Sequence, residues 1–289
     1  MSGGTLVQAM PADFAVFAAA LFGLLVGSFL NVLILRLPVM LERGWRSEAL
    51  ATLELPDEPA EAFDLLRPRS RCGACGHAIA WWENIPVLSW LLLRGRCSAC
   101  GTRISLRYPL VEIASAAIAA ALVWQHGMSA WTAGTVVLAW GLLALGLIDL
   151  DTTLLPDGVT LPLLWLGLLL HAWLDPAFLP QAVFGAAIGY ASLWSVYQVF
   201  RLLTGKEGMG FGDFKLFAVF GAWFGPLALL PIILLSAICG AVLGIALQRS
   251  GALKPGHPIP FGPFLAAAGL LSLYLGPQRL VAWLLGGGA

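Results

Sequence analysis

Charge is scarce in this chain. Only 11% of its 289 residues are Asp, Glu, Lys or Arg, against about 25% in a typical soluble domain. Hydrophobic residues make up 59%, and the mean hydropathy is +0.86. A chain so poor in charge points to membrane spans rather than to a soluble domain. It also lacks a basic stripe with interleaved aromatics, and its formal net charge is zero, which argues against nucleic-acid binding. No inverted repeat of the transporter kind is visible. Low-complexity sequence is confined to the terminal GGGA.

What is present is a series of apolar runs. A span needs roughly 20 mostly apolar residues. Eight candidates lie at about 13–35, 109–126, 129–149, 157–174, 180–203, 212–225, 226–248 and 260–285, the sixth of them short. The expected fold is an all-α polytopic membrane protein of about eight transmembrane helices. The first run is too long, and too polar at its far end (GSFLNVLILRLP), for a cleaved signal peptide, and no A-x-A-like site follows it; it is read as retained.

Of the 16 Lys and Arg, ten lie between Arg36 and Arg107, beside eight acids, so this segment nets ten minus eight, or +2. Orientation follows the Lys/Arg count. The segment is therefore expected in the cytoplasm, with the N-terminus outside. Threading eight spans puts the 149–157 turn and the loops with Arg201, Lys206, Arg249 and Lys254 on that side, while the turns near 127, 176 and 225 carry no Lys or Arg. Asp149 and Asp213 are thus expected at the same membrane face. Residues 36–108 form the one stretch long enough for a soluble unit. It lies between a first helix (1–35) and a transmembrane core (109–289).

That stretch carries the chain's internal repeat, RCGACG at 71–76 and RCSACG at 96–101. Cys72-x2-Cys75 and Cys97-x2-Cys100 each precede a glycine, which suits the tight turn of a zinc knuckle. Two knuckles bring four thiolates to one tetrahedral Zn²⁺. The alternatives are two disulfides, disfavoured in a reducing cytoplasm, or four unrelated core cysteines. His77 could replace one thiolate. A closed four-sulfur site is structural, and would fold a segment (68–108) whose own core is small. Cys239, alone in an apolar run, is expected to be packed inside.

Ionisable groups at membrane depth are rare and usually functional. Asp13 and Asp175 lie at outer span ends and read as solvated. Asp157 follows Pro156 and precedes GVTLPLL, an N-cap pattern. Asp151 points away from Asp149 on a helix. Glu112, one turn into its span, is placed to pair with an arginine such as Arg107. Asp149 closes a span, and Asp213 opens one behind the glycine-rich GMGFG. Glycine lets backbone approach closely, so an extended substrate could lie beside Asp213. Two facing aspartates cannot both ionise and share a proton. One then serves as general base on water and the other as general acid on an amide. Spacing alone does not show that they touch. A transporter or channel using intramembrane aspartates is the competing reading, and a structural scaffold docking a partner through its zinc ribbon is a third.

GFGD at 210–213 resembles the GxGD motif of membrane aspartyl proteases. The chain as a whole resembles the bacterial type IV prepilin peptidases, the leader peptidase/N-methyltransferases of pilus and type II secretion systems. The stretches that carry this likeness are GSFLNVLILRLP (27–38), PRSRCGACG through RYPLVE (68–112), IDLDTTLLPDGVTLPLLWLGL (148–168), GMGFGDFKLFAVFGAWFG (208–225) and PIPFGPFLAAAG (258–269). The resemblance implies that Asp149 and Asp213 are the catalytic pair, with Gly210, Gly212 and Lys215 positioning substrate. It implies prepilin and pseudopilin substrates in the bacterial inner membrane, each with a short basic leader cut after Gly at the cytoplasmic face. It also implies methylation of the new N-terminus with S-adenosylmethionine. No GxGxxG fingerprint marks the methyl-donor site. The resemblance associates it with 27–112, where Glu112 and Asn31 are the candidates.

Overall fold

The computed structural model describes residues 11–56, 62–251 and 259–284. Lys254, Pro258, residues 57–61 of the acidic stretch and the GGGA tail lie outside the described residues. The described chain is nearly all helix; its β pairing consists of two isolated antiparallel bridges. The helices are α1 (Ala12–Thr52), α2 (Leu88–Leu92), α3 (Arg107–His126), α4 (Ala130–Thr152), α5 (Asp157–Leu174), α6 (Leu179–Thr204), α7 (Phe211–Phe224), α8 (Leu229–Arg249), α9 (Gly262–Leu275) and α10 (Pro277–Leu284). They fall into two compact units, Met1–Thr132 and Ala133–Ala289.

Among the described residues, six helices are long and apolar enough to cross a membrane: α1, α3, α4, α5, α6 and the run Pro226–Arg249 that contains α8. The pair α9–α10, bent by 101°, makes a possible seventh. The remaining apolar run, expected at 212–225, is α7, only 14 residues long. With it the tally of apolar helical segments reaches eight. The first helix is longer than its apolar run: α1 continues 41 residues, through Pro38 and into the polar connector.

In the first unit, α1 and α3 pack at backbone contact. A Cβ on Gly23 would lie 2.7 Å from Ala116 Cα, and one on Gly27 would lie 2.6 Å from Glu112 Cα. Small residues permit such an approach where lipid offers no hydrophobic drive between helices. The Ser115 hydroxyl, fully buried, donates to the Gly23 carbonyl at 2.7 Å.

In the second unit α7 is the core. Phe214, Leu216, Val219, Phe220 and Ala222 have no exposed surface. A helix apolar on every side belongs inside, which is why 14 residues suffice here. It packs on α6 through Gly185 and Gly221, where a Cβ on either would land on the other's backbone carbonyl. It is tied to α5 by the Trp223 indole N–H on the Leu163 carbonyl (2.8 Å) and by His171 Nε2 on the Trp223 carbonyl (3.2 Å). Cys239 departs from expectation: it is exposed on the outside of α8, where an apolar thiol faces the surroundings of the helix rather than a packed interior.

Candidate functional sites

The four cysteines of the first unit come together as one cluster. All four sulfurs lie within 4.8 Å of one another, with Cys72–Cys100 at 3.9 Å and Cys75–Cys97 at 4.0 Å. A tetrahedron with metal–sulfur bonds of ~2.3 Å has edges of roughly 3.8 Å, so the donor set fits one tetrahedral metal. The sequence repeat is also a repeat in hydrogen bonding. Cys72 N–H donates to the His77 carbonyl and Gly76 N–H to the Cys72 carbonyl; Cys97 and Gly101 do the same to Thr102 and Cys97, all at 2.9 Å. Gly76 and Gly101 have φ of 72° and 73°, a backbone region that favours glycine. The Thr102 hydroxyl, 3.2 Å from the Cys100 sulfur, is the first cause that brings that thiol down to about 6. His77 is not part of the cluster. Its Nε2 lies 3.2 Å from Glu83 Oε2 and 3.4 Å from Ser98 Oγ. The Ser98 hydroxyl first, and then the Ala80 amide, hold the Glu83 carboxyl below its usual range.

In the second unit, Asp149 lies near the end of α4 and Asp213 in the first turn of α7. They are only 5% and 7% exposed. What assembles them is local. Leu155, in the connection from α4 to α5, sits against two glycines. A Cβ on Gly212 would lie 2.6 Å from Leu155 Cβ, and one on Gly262 would lie 3.1 Å from Leu155 Cδ2. The starts of α7 and α9 and the end of α4 therefore meet. Gly262 N–H, at the N-terminus of α9, donates to Asp149 Oδ2 at 2.9 Å. A Cβ on Gly262 would lie only 2.7 Å from that oxygen. Helix N-termini favour negative charge, and here α7 and α9 each present one to a carboxylate. Asp213 curls back over Gly210, whose imagined Cβ would be 3.6 Å from Oδ2. Asp213 Oδ1 is buried with no hydrogen-bond partner.

Other expected residues are placed as follows. Lys215 Nζ contacts both oxygens of Asp157, at 2.7 and 2.6 Å. Asp157 is accordingly not the cap of α5. Pro156 holds that position and makes no side-chain cap bond, while Asp157 is the first helical residue; its carboxylate has a full cation to satisfy instead. Glu112, in the first unit, is buried, and its Oε2 accepts the Val87 N–H at 2.7 Å. Asn31 Nδ2 donates to the Tyr108 carbonyl at 3.1 Å. Sequence reasoning missed Gly262, Leu155 and Val87. Gly262 lies within the PIPFGP stretch and had a signal; an amide donor, however, leaves no mark on side-chain identity.

The family model described as the bacterial peptidase A24 N-terminal domain matches residues 21–126. That of the type IV leader peptidase family matches residues 136–245. A curated relative from Stutzerimonas stutzeri, named prepilin leader peptidase/N-methyltransferase, is 54% identical over 93% of both chains. Relatives of the same name from Pseudomonas putida and Pseudomonas aeruginosa are 52% identical over 95% and 91% of both chains. No solved structure matches. With identity of this extent along nearly the whole chain, the protein belongs to the type IV leader peptidase family.

Proposed function

We propose that the chain cleaves the leader from prepilins and pseudopilins and then methylates the new N-terminus. The observation that carries the peptidase reading is the pair of buried carboxylates, Asp149 and Asp213, brought to the meeting point of α4, α7 and α9. The Gly262 N–H on Asp149 Oδ2 favours a carboxylate there, while Asp213 Oδ1 is buried with no partner; Asp149 is assigned as the general base and Asp213 as the carrier of the shared proton. Asp149 takes a proton from water as the water oxygen bonds to the carbonyl carbon of the scissile glycine. Asp213 gives its proton to the carbonyl oxygen. On collapse Asp149 passes the proton it took to the amide nitrogen, the C–N bond breaks, and one hydroxyl of the gem-diol returns a proton to Asp213, so the leader leaves as a carboxylic acid that then ionises, the pilin keeps a free amine and the pair is reset. No covalent enzyme intermediate is needed. Gly210, where a Cβ would meet only Asp213 Oδ2 at 3.6 Å, leaves room for an extended substrate backbone beside Asp213, whereas Gly212 is closed by Leu155 and acts by letting α7 approach the α4–α5 connection. Lys215, paired with Asp157, fixes the start of α5 to the start of α7.

The substrate is cut where its helix has not yet begun. Amides within a membrane helix are internally bonded and closed to attack; a glycine just outside the span is open. The Lys/Arg distribution supports an inner-membrane protein with the cysteine module and the aspartates at the cytoplasmic face. Cys72, Cys75, Cys97 and Cys100 hold a structural Zn²⁺, and S-adenosylmethionine supplies the methyl group. The domain reading follows: the cysteine module is a soluble insertion after the first helix, and residues 109–289 contain the peptidase core. Asp149→Asn and Asp213→Asn, each assayed against a prepilin in membranes, test the proposal. Either change is expected to abolish cleavage while expression holds. Substantial cleavage by one variant would remove that residue from the reaction.

A further inference from the structure

The connection between the two cysteine knuckles is more apolar at its surface than a segment in water. Trp81, Trp82, Ile85, Leu88, Leu91 and Leu92 are all exposed, Leu92 to 81%. On the spans such residues face lipid, but 81–92 lies outside every helix among the described residues that is long enough to cross a membrane. An exposed apolar patch marks an interaction surface, and the local hydrogen bonds fix the level at which this one lies.

Val87, the residue before α2, donates its N–H to Glu112 Oε2 at 2.7 Å. Glu112 also accepts from Ser28 of α1. Both anchors are well inside spans. Ser28 lies eight residues before Arg36, where the apolar run of α1 ends, and Glu112 lies five residues after Arg107, where α3 begins. At about 1.5 Å per residue these offsets are roughly 12 and 7.5 Å. Val87 is held that far to the membrane side of the first charged groups, and α2 follows directly from it. Helices that lie in a bilayer interface bury their apolar face by about 5–10 Å. Trp81 and Trp82, edge to face at 5.5 Å, belong to the residue type that collects at that level.

The charges beside this segment have one sign. Residues 68–108 hold six arginines against one acid, Glu83, and Glu83 is engaged with His77. Arg96 and Arg103, both exposed, stand opposite each other on an antiparallel bridge. Like charges so placed repel unless an anion lies between them. Arg94, also exposed, is two residues away with φ 52°, a conformation uncommon outside glycine and found at ligand clamps. The Ile104 N–H donates to the Gly95 carbonyl at 2.7 Å, and the Trp90 indole N–H donates to the Ile104 carbonyl at 3.3 Å. The three arginines are thereby tied to the chain just before it enters α3 at Arg107. They stand at headgroup level, and the leucines of α2 lie deeper.

We propose that residues 81–92 dip into the membrane as an interfacial loop, and that Arg94, Arg96 and Arg103 bind the phosphate headgroups of anionic phospholipids. The knuckles stand in water; the connection between them does not. The occupant is lipid rather than a second protein, because the Val87 and Glu112 bond sets α2 beside the first turns of two spans, where lipid is the surrounding medium. Its anionic headgroups complement the arginines. The module thus gains a third attachment to the bilayer besides α1 and α3, whichever reactions the chain performs.

The test is photocrosslinking of the purified full chain, reconstituted in nanodiscs of equimolar phosphatidylglycerol and phosphatidylcholine. A photoreactive phenylalanine analogue replaces Leu92 and, in a second protein, Ala99, which is exposed on the second knuckle. Lipid adducts, read by mass spectrometry, are expected at position 92 and not at 99. Phosphatidylglycerol retained through detergent washing is then measured against phosphatidylcholine for wild type and for Arg94→Gln, Arg96→Gln and Arg103→Gln. Each change is expected to lower the phosphatidylglycerol preference by roughly fivefold, the share of one basic residue at an anionic surface. No adduct at 92, equal adducts at both positions, or a crosslink from 92 to a second copy of the chain would overturn the insertion. An unchanged preference in all three variants would overturn the headgroup site.

Discussion

Gly262 illustrates what a single backbone group does for the proposed chemistry. Its N–H holds Asp149 Oδ2, and any side chain there would collide with that oxygen. Gly262→Ala is therefore expected to lower kcat for prepilin cleavage by roughly 10²-fold, the lower end of what a positioned general base contributes. Substrate affinity should change little, because the residue touches Asp149 rather than the substrate. A kcat within about twofold of wild type would show that the amide does not tune Asp149. Asp149 and Asp213 were legible in the sequence because carboxylates in apolar runs stand out and one sat behind glycines. Their encounter was not, since it depends on Leu155 wedged between Gly212 and Gly262. The misread aspartate, Asp157, followed a capping pattern, but a lysine 58 residues away outbid the local backbone for its carboxylate.

At the level of elements, the cysteine module and α7 make opposite demands. The module has little core and, on the proposed reading, depends on a metal held by its four sulfurs; α7 is held by burial on every side. Cys→Ser at any of the four positions is expected to lower bound metal and the melting temperature, read by metal analysis and thermal unfolding in detergent. Purified wild type without zinc would contradict the structural role. Gly221→Leu would drive a side chain into the Gly185 backbone and is expected to prevent stable accumulation of the protein; normal expression would mean that α6 and α7 pack otherwise. The Lys215–Asp157 pair is half open to solvent, with side-chain exposures of 28% and 53%. Such pairs contribute only about 0–1 kcal/mol, so Lys215→Ala should leave the melting temperature nearly unmoved. A pronounced fall in cleavage with that variant would mark a positioning role; full cleavage would exclude one. The knuckle repeat could be read directly because its spacing is its geometry. The length of α7 could not: hydropathy sees an apolar run but not whether lipid or protein surrounds it.

For the whole molecule, the two proposed reactions differ in what they need: hydrolysis needs water and the aspartate pair, and methyl transfer needs a donor and a free amine. Cleavage should then proceed without S-adenosylmethionine, whereas methylation should require prior cleavage, because only cleavage creates the amine. The number of apolar segments and the location of charge were open to sequence reading, since both are composition. The cavity of about 570 Å³ inside the first unit was not, because its walls come from residues 28 to 112 and no local pattern joins them. The central claim is most directly tested by mass spectrometry of a cognate prepilin incubated with the purified protein and S-adenosylmethionine, wild type beside Asp213→Asn. Loss of the leader and gain of one methyl group are expected with wild type, and an intact precursor with the variant. An intact precursor after incubation with well-folded, metal-loaded wild type, or equal cleavage by both proteins, would contradict it.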